Sequence, residues 1–472
     1  MAGREGADDA APSARSFRLD QRRRDAAAAV GRALRESEFP GREDSVLVPL
    51  LQRGAVVARS ALDDGLIEDL AAARMVRIDG DGSVTPRVRV EVWEGLLIAR
   101  DTEDLPDLSF ETVLGVNPTT RTMACLTPRR PVGRALDLGT GTGALALRMA
   151  GHAETVVATD VNAHATELAG LNAAMNGIQL DLRVGDLFDP VGHDEAFDLI
   201  TANLPFAVSP DEEFAFRDGL RPRDGTARDT IVGCAALLAP GGIAVVLCDW
   251  LIPRGADPWS RPVEWVAPLG HQVLVVHAGI AEPEAYASFW NEYRFARDPA
   301  DYVAAIERWT TAFDAWDVDA VAHGFVVLHN DPRSAGAIHR LASTTEPSGD
   351  GGRHVTRLLA NLTWLQAHED ASDLLAARPR LVEGTILHQT MRYHTGWTAD
   401  GGEVALADSV GITGDLHPLA TNVVLRLDGT SSVQELVTQV AAQSSSFDPG
   451  ALTDVVVASM HSLVRSGCLE IT

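Results

Sequence analysis

The 472-residue sequence contains no lysine, so all 40 of its basic residues are arginines. Acidic residues number 66, which leaves a formal net charge of −26. That imbalance works against general binding to phosphate backbones, which depends on neutralising phosphates with cations. Paired cysteines are missing too: Cys125, Cys234, Cys248 and Cys468 are scattered along the chain. Such spacing predicts neither a zinc site nor a disulfide framework, so no metal is expected and a reducing cytoplasm fits. No apolar run approaches the roughly 18 residues that would suggest a bilayer crossing. The amino-terminal residues are polar and charged, so no signal peptide is expected either.

What is present suggests about two to four domains. Residues 1–18, rich in Ala, Arg and Asp, are expected to be a disordered tail. Residues 19–99 read as helices followed by a hairpin, the winged-helix pattern, with Asp81-Gly82 suited to a tight turn. The acidic stretch "LDDGLIEDLAAARM" there favours docking of a partner or substrate over DNA reading. Between 100 and 342, seven short apolar runs ("RALDLG", "TVVATD", "LDLRVGD", "FDLITAN", "GIAVVLCD", "QVLVVHAG", "GFVVLHN") mostly alternate with helical segments. This predicts an α/β domain with a doubly wound, mainly parallel, seven-stranded Rossmann-like sheet.

Within that domain, 280–322 reads as a helical cap insertion carrying Trp290, Tyr293, Tyr302, Trp309, Phe313 and Trp316. Most of these aromatics are expected in the core of the cap, with Trp290 and Tyr293 as candidate substrate contacts. "STTEPSGDGG", 343–352, reads as a linker, and 353–472 as an α+β accessory domain. The terminal domains are candidates for partner docking. Arg121, Arg129, Arg130 and Arg134, and further on Arg217, Arg221, Arg223 and Arg228, read as solvated loop charge. The alternative is an anionic-substrate site, with Arg121 as its candidate contact.

The stretch "RALDLGTGTGALALRMA" (134–150) reads as strand, glycine-rich turn and helix. Gly139, Gly141 and Gly143 let a ligand approach the backbone around Thr140. Their GxGxG spacing is not the GxGxxG of dinucleotide sites, which argues against an oxidoreductase. Asp137, two residues before the first glycine, would repel a pyrophosphate but pair with an ammonium. Asp160, at the end of the next strand and followed by Val161, can accept two ribose hydroxyls. Asp186 ends the third strand, placed to accept the exocyclic amine of adenine, with the Leu187 N–H facing the ring. An ammonium, a ribose and an adenine without phosphate describe S-adenosyl-L-methionine, whose product is S-adenosyl-L-homocysteine.

The series "LDLGTGTGALAL", "ATDVN", "LAGLNAAMNG", "GDLFDP", "FDLITANLPF" and "LLAPGGIAVVL" resembles the class I S-adenosylmethionine-dependent methyltransferases. It is most similar to their small-methyltransferase branch, which includes release-factor glutamine N-methyltransferases and ribosomal-RNA guanine N2-methyltransferases. The resemblance covers residues 110 to 250, with "VLGVNPTTRTMACL" leading into it. It implies that "NLPF" stands for the Asn-Pro-Pro-Tyr-like loop after the fourth strand. Asn203 and the carbonyl of Leu204 would then accept the two hydrogens of a planar NH2 group. Asn203 would border both cofactor and acceptor, Pro205 would fix the turn, and Phe206 would stack on the acceptor. Leu204 departs from the family's first proline, which leaves the acceptor carbonyl but loosens the loop and puts the type of nitrogen in doubt. After the loop, Asp211, Glu212 and Glu213 read as solvated charge or as a lip selecting a cation.

The expected reaction is N-methylation of a planar amine or amide on a protein, peptide or small molecule. A nucleobase of RNA or DNA is the alternative acceptor. A non-catalytic cofactor-binding partner protein is the second alternative.

Overall fold

The computed structural model describes residues 15–37, 39–41, 45–102, 111–192, 194–211, 213, 217–219, 221–443 and 449–471. They fall into two compact units. The first comprises the described residues of Met1–Thr120, Pro131–Ala239 and Ser288–Arg308. The second comprises those of Arg121–Arg130, Pro240–Ala287 and Trp309–Thr472.

The first unit begins with a strand, Arg15–Phe17 (β1), and a helix, Gln21–Glu36 (α1). Asp20 caps that helix, its carboxylate accepting the Arg23 N–H at 2.8 Å. Val57–Ala58 (β2), Asp64–Ala72 (α2), Val76–Ile78 (β3) and Ser83–Pro86 (β4) follow, and β4 pairs with both β2 and β3. Asp81-Gly82 does form the β3–β4 turn, with Gly82 at a φ of 82°. A second hairpin, Val88–Trp93 (β5) and Leu96–Asp101 (β6), closes this region.

Beyond it come Pro118–Leu126 (α3), Val132–Leu138 (β7), Ala144–Met149 (α4), Ala153–Asp160 (β8) and Ala163–Asn176 (α5). Asp181–Val184 (β9), Phe197–Ala202 (β10) and Gly225–Ala236 (α6) complete the series. The strands lie in the order β1-β9-β8-β7-β10, parallel except for β1. Central parallel strands are covered on both faces, which is why β7 and β10 are apolar runs rather than alternating ones. The carboxyl ends of β7, β8 and β9 carry or lead to the acids singled out in the sequence, Asp137, Asp160 and Asp186, and that of β10 leads to Asn203.

The amino-terminal region shares its core with this α/β layer. Val30, Leu34, Leu70, Met75 and Val90 pack in one buried cluster with Leu168, Leu171 and Met175 of α5. The asparagines of "LNAAMNG" explain the join. Asn172 donates to Ala99 O at 2.9 Å and to Thr142 O at 2.8 Å, and accepts the Ala99 N–H at 2.7 Å. Asn176 bonds both backbone groups of Leu97 in the same way. Two side-chain amides thus stand in for a missing strand at the edge of β6, and one of them ties that edge to the glycine turn.

The second unit contains Leu238–Pro253 (β11), Ser260–Val266 (α7) and Gln272–Ala281 (β12). Pro283–Arg297 (α8) and Pro299–Ala315 (α9) follow, and residues 288–308 of this helical pair belong to the first unit. After Val318–His329 (β13) and Ile338–Ala342 (β14), β13 pairs antiparallel with β11 and with β12, and β14 runs parallel to β12. A helix at Gly351–Ala367, a hairpin of Thr385–Tyr393 with Trp397–Leu406, and helices at Val433–Ala442 and Pro449–Arg465 complete it.

Three expectations need correcting. Two strands beyond the expected seven, β1 and β14, add to the sheets because a short polar strand lacks the apolar run that marks a buried one. Residues 15–17 of the expected disordered tail are paired with β9, while 1–14 lie outside the described residues. The expected linker is docked rather than loose: Ser348 bridges Ser409, Thr344 N–H donates to Gly411 O at 2.7 Å, and a helix starts at Gly351.

Candidate active site

The glycine turn between β7 and α4 is held from β8. Gly139 and Thr140 both donate their N–H to Thr159 O at 2.9 Å. Gly139 and Gly141 have φ of 71° and 53°, where a side chain is strained. A Cβ on Gly141 would meet nothing within 4 Å, so its backbone faces open space that a ligand can fill. A Cβ on Gly139 would stand 2.4 Å from Leu204 Cδ2, so the residue that departs from the family pattern packs its side chain directly on the turn. Gly143 lies against Ala169 of α5.

Asp137 lies beneath this turn with 1% of its surface exposed. Thr140 Oγ1 donates to its Oδ2 at 2.7 Å and Thr201 Oγ1, from β10, to its Oδ1 at 2.8 Å. Burial pushes its pKa up to about 6 even so, because two neutral hydroxyls do not replace bulk hydration. Asp160 ends β8. It accepts the Gly141 N–H on Oδ2 and the Asn162 N–H on Oδ1, both at 2.9 Å. Burial raises its pKa against the pull of those two amides. Val161, beside it, is exposed.

Asp186 presents its two oxygens differently. Oδ2 accepts from Arg221 Nη2 at 2.7 Å, while Oδ1 is buried with no hydrogen-bond partner. Leu187 follows with a φ of 44°, a left-handed conformation that costs a branched residue free energy and is retained where the surroundings demand it.

Asn203 leaves the end of β10. Its Nδ2 donates to Thr119 Oγ1 at 3.4 Å, and its Oδ1 is buried without a partner. The amide orientation has a cause. Thr119 has one hydroxyl proton and donates it to Asn117 Oδ1 at 2.8 Å, so it can only accept from Asn203. That leaves Oδ1 as the outward acceptor. Asn117 is anchored in turn by the Thr120 N–H and hydroxyl, each at 2.9 Å.

Phe206, past Pro205, meets Trp290 edge to face at 6.0 Å. Tyr293 accepts a hydrogen bond from Arg217 at 3.3 Å and donates to Glu213 Oε2 at 2.8 Å. Trp290 and Tyr293 therefore lie against residues of the loop after β10. Trp309 and Phe313, in the other unit, are fully buried. Arg121, in α3, is assigned to that unit too.

Arg223 and Arg228 are exposed, as solvated charge would be, but other charged residues around the loop are paired. Arg217 is 3% exposed and binds both oxygens of Asp218, at 2.6 and 2.9 Å. Arg221 holds Asp186. Asp211 is bound by Arg308 through two bonds of 2.9 Å, and Glu213 by Arg294, so these acids pair with arginines of the helical segment and form no open cation-selecting lip. Glu212 lies outside the described residues. The sequence reading missed Asn117, Thr119, Thr201 and Arg221 as parts of the site; only "VNPTT", within the segment leading to the first motif, hinted at two of them. No group of three potential metal-ligating side chains, and no helix long and apolar enough to cross a membrane, occurs among the described residues.

Residues 115–244 match the family model of the methyltransferase small domain. A stretch of 153 residues is 35% identical to the release factor glutamine methyltransferase of Deinococcus radiodurans, covering 28% of this chain and 52% of that one. Another of 134 residues is 37% identical to the ribosomal protein L11 methyltransferase of Symbiobacterium thermophilum, covering 27% and 42%. Among solved structures, the ribosomal protein L11 methylase of Lactobacillus delbrueckii subsp. bulgaricus is 27% identical over 34% of this chain and 72% of that one, with a TM-score of 0.25. The chain thus spans about half the length of the curated relatives it matches. Most of the chain lies outside the matched residues 115–244.

Proposed function

We propose that the chain is an S-adenosyl-L-methionine-dependent methyltransferase acting on a planar amide or amine nitrogen of a protein, a peptide or a small molecule. One observation carries the reading: the ends of β9 and β10 each lead to a buried acceptor without a donor, Asp186 Oδ1 and Asn203 Oδ1. An orphaned buried acceptor costs about 1–3 kcal/mol. It is tolerated where a ligand supplies the missing proton. An adenine amine fits the first and an acceptor NH2 the second, while the open face of Gly141 leaves room for a ligand beside the backbone.

When bound, S-adenosyl-L-methionine supplies an electrophilic sulfonium methyl. Asp137, through lone pairs its two threonines leave unused, would hold the ammonium, with Gly139, Thr140 and Gly143 shaping the turn. Asp160, beside Val161, would accept the ribose hydroxyls, and Asp186 and Leu187 would read the base. Asn203 Oδ1 and the Leu204 carbonyl would take the two hydrogens of the acceptor NH2. That arrangement withdraws the nitrogen lone pair from its π system and aims it at the site, a positioning and electrostatic contribution. Phe206, braced by Trp290, would stack on the planar acceptor. Pro205 limits the loop, and Leu204, packed on Gly139, replaces the stiffness of the family's proline with a side-chain contact.

The names of the relatives, release factor and ribosomal protein methyltransferases, support a protein acceptor. The net charge of −26 supports it over a nucleic-acid backbone. The regions outside the small domain, 19–99 and 353–472 above all, are proposed to dock the acceptor or a partner, and the cytoplasm is the proposed location. Methyl-labelled cofactor added with the protein to a cell lysate, then fractionated, tests this. Label in protein or small molecules supports the reading. Label in a nuclease-sensitive fraction replaces it with the nucleobase alternative. No S-adenosyl-L-homocysteine binding by calorimetry would overturn the cofactor assignment itself.

A further inference from the structure

Arg221 sits in the loop before α6, on the far side of the Asp186 carboxylate from the orphaned oxygen. Its guanidinium donates to Asp186 Oδ2 at 2.7 Å, and its Nε lies 3.6 Å from Asp229 Oδ2. Its backbone N–H is fixed by Thr226 Oγ1 at 3.0 Å, in the first turn of α6. Asp186 Oδ1 is buried and unpartnered, and the strained Leu187 follows directly.

We infer that Arg221 is a positioning residue for base recognition: it pins one oxygen of Asp186 so that the other is held in place as a buried acceptor selective for an exocyclic amine. The inference rests on the cofactor reading above. A carboxyl free to rotate or to take up a proton can offer either a donor or an acceptor. The guanidinium, which can only donate, occupies Oδ2 and stops the carboxyl from rotating, so Oδ1 is the oxygen left to meet the base. An adenine amine satisfies Oδ1. A hypoxanthine carbonyl in the same place sets two acceptors against each other and leaves Oδ1 orphaned, and sites built around such a bond reject analogues that cannot make it.

Calorimetry of the full chain with S-adenosyl-L-homocysteine and with S-inosyl-L-homocysteine tests this, using the wild type, Arg221→Met and Arg221→Lys. The wild type should prefer the adenine ligand by about a hundredfold or more. Arg221→Met should lose roughly tenfold in affinity for the adenine ligand, as for loss of a charge-assisted contact, and little for the inosine ligand, so the preference shrinks. Arg221→Lys, which restores a cation without the fork, should recover part of the preference. An unchanged preference in Arg221→Met overturns the inference, and so does an equal loss for both ligands, which is what a merely structural role would give. If Arg221→Met does not fold, Arg221→Gln takes its place, and a wild-type preference there overturns the inference. A wild type that binds neither ligand brings down the cofactor reading instead, with Arg221 a surface ion pair.

Discussion

Asp137 ties stability to pH in a direction opposite to that of most paired acids, and under the proposed cofactor reading it ties binding to pH as well. Its pKa in the fold is raised from 3.8 to about 6, chiefly by burial. Between those values the folded chain binds a proton that the unfolded chain has released. The group's contribution to stability is therefore greatest below about pH 4 and falls as pH rises toward 6, by roughly 3 kcal/mol for a shift of about two units. A ligand ammonium pairs only with the ionised form. Apparent affinity for S-adenosyl-L-homocysteine should then be level above about pH 7 and weaken about tenfold per pH unit below 6, as the competent fraction shrinks. Calorimetry from pH 5 to 8, in buffers of differing ionisation enthalpy, should also show proton release on binding near pH 6. Thr201→Val removes the donor to Oδ1 and should move the break to higher pH. Asp137→Asn should bind weakly and without the pH dependence. Equal affinity at pH 5 and pH 7.5, or wild-type affinity in Asp137→Asn, would refute the ammonium assignment.

Other substitutions separate cofactor from acceptor. Asn203→Ala should leave S-adenosyl-L-homocysteine affinity near that of the wild type and lower turnover by roughly a hundredfold, as loss of a positioned polar group does; undiminished turnover would place the acceptor elsewhere. Asp160→Ala should weaken cofactor binding by about 1–3 kcal/mol, and unchanged affinity would remove the ribose assignment. Gly139→Ala puts a side chain at a φ of 71° and 2.4 Å from Leu204 Cδ2, so urea melts should show about 1–3 kcal/mol of destabilisation. Adding Leu204→Ala should recover the steric part and not the backbone part; full recovery, or no loss to begin with, would contradict the geometry.

Much of the site could be read from the sequence because its signals are local. Gly139, Gly141 and Gly143 mark a turn that only residues tolerating left-handed backbone can make. Asp137, Asp160 and Asp186 end or follow short apolar runs, and strand ends in parallel sheets gather on one edge, so their sequence positions already place them together. The same holds for Asn203 after β10, and for the Asp81-Gly82 turn. The N-cap residue and the strand end are decided within a few residues of chain, where propensity and periodicity act.

What only the tertiary structure decided is which partner each polar group takes. Nothing in "VNPTT" says that Thr119 orients the Asn203 amide from 84 residues away. Nothing in "LRPRDG" says that Arg221 pins Asp186 from 35 residues away, and composition alone made it loop charge. Arg217 looked like solvated charge too, yet it is buried together with Asp218, because a neighbouring opposite charge is what makes such burial tolerable. The short strands β1 and β14 had no apolar run to betray them, since an edge strand is stabilised by backbone bonds that any sequence can make. Local sequence chose the elements and the chemistry; long-range packing, which a single sequence does not encode residue by residue, chose who meets whom.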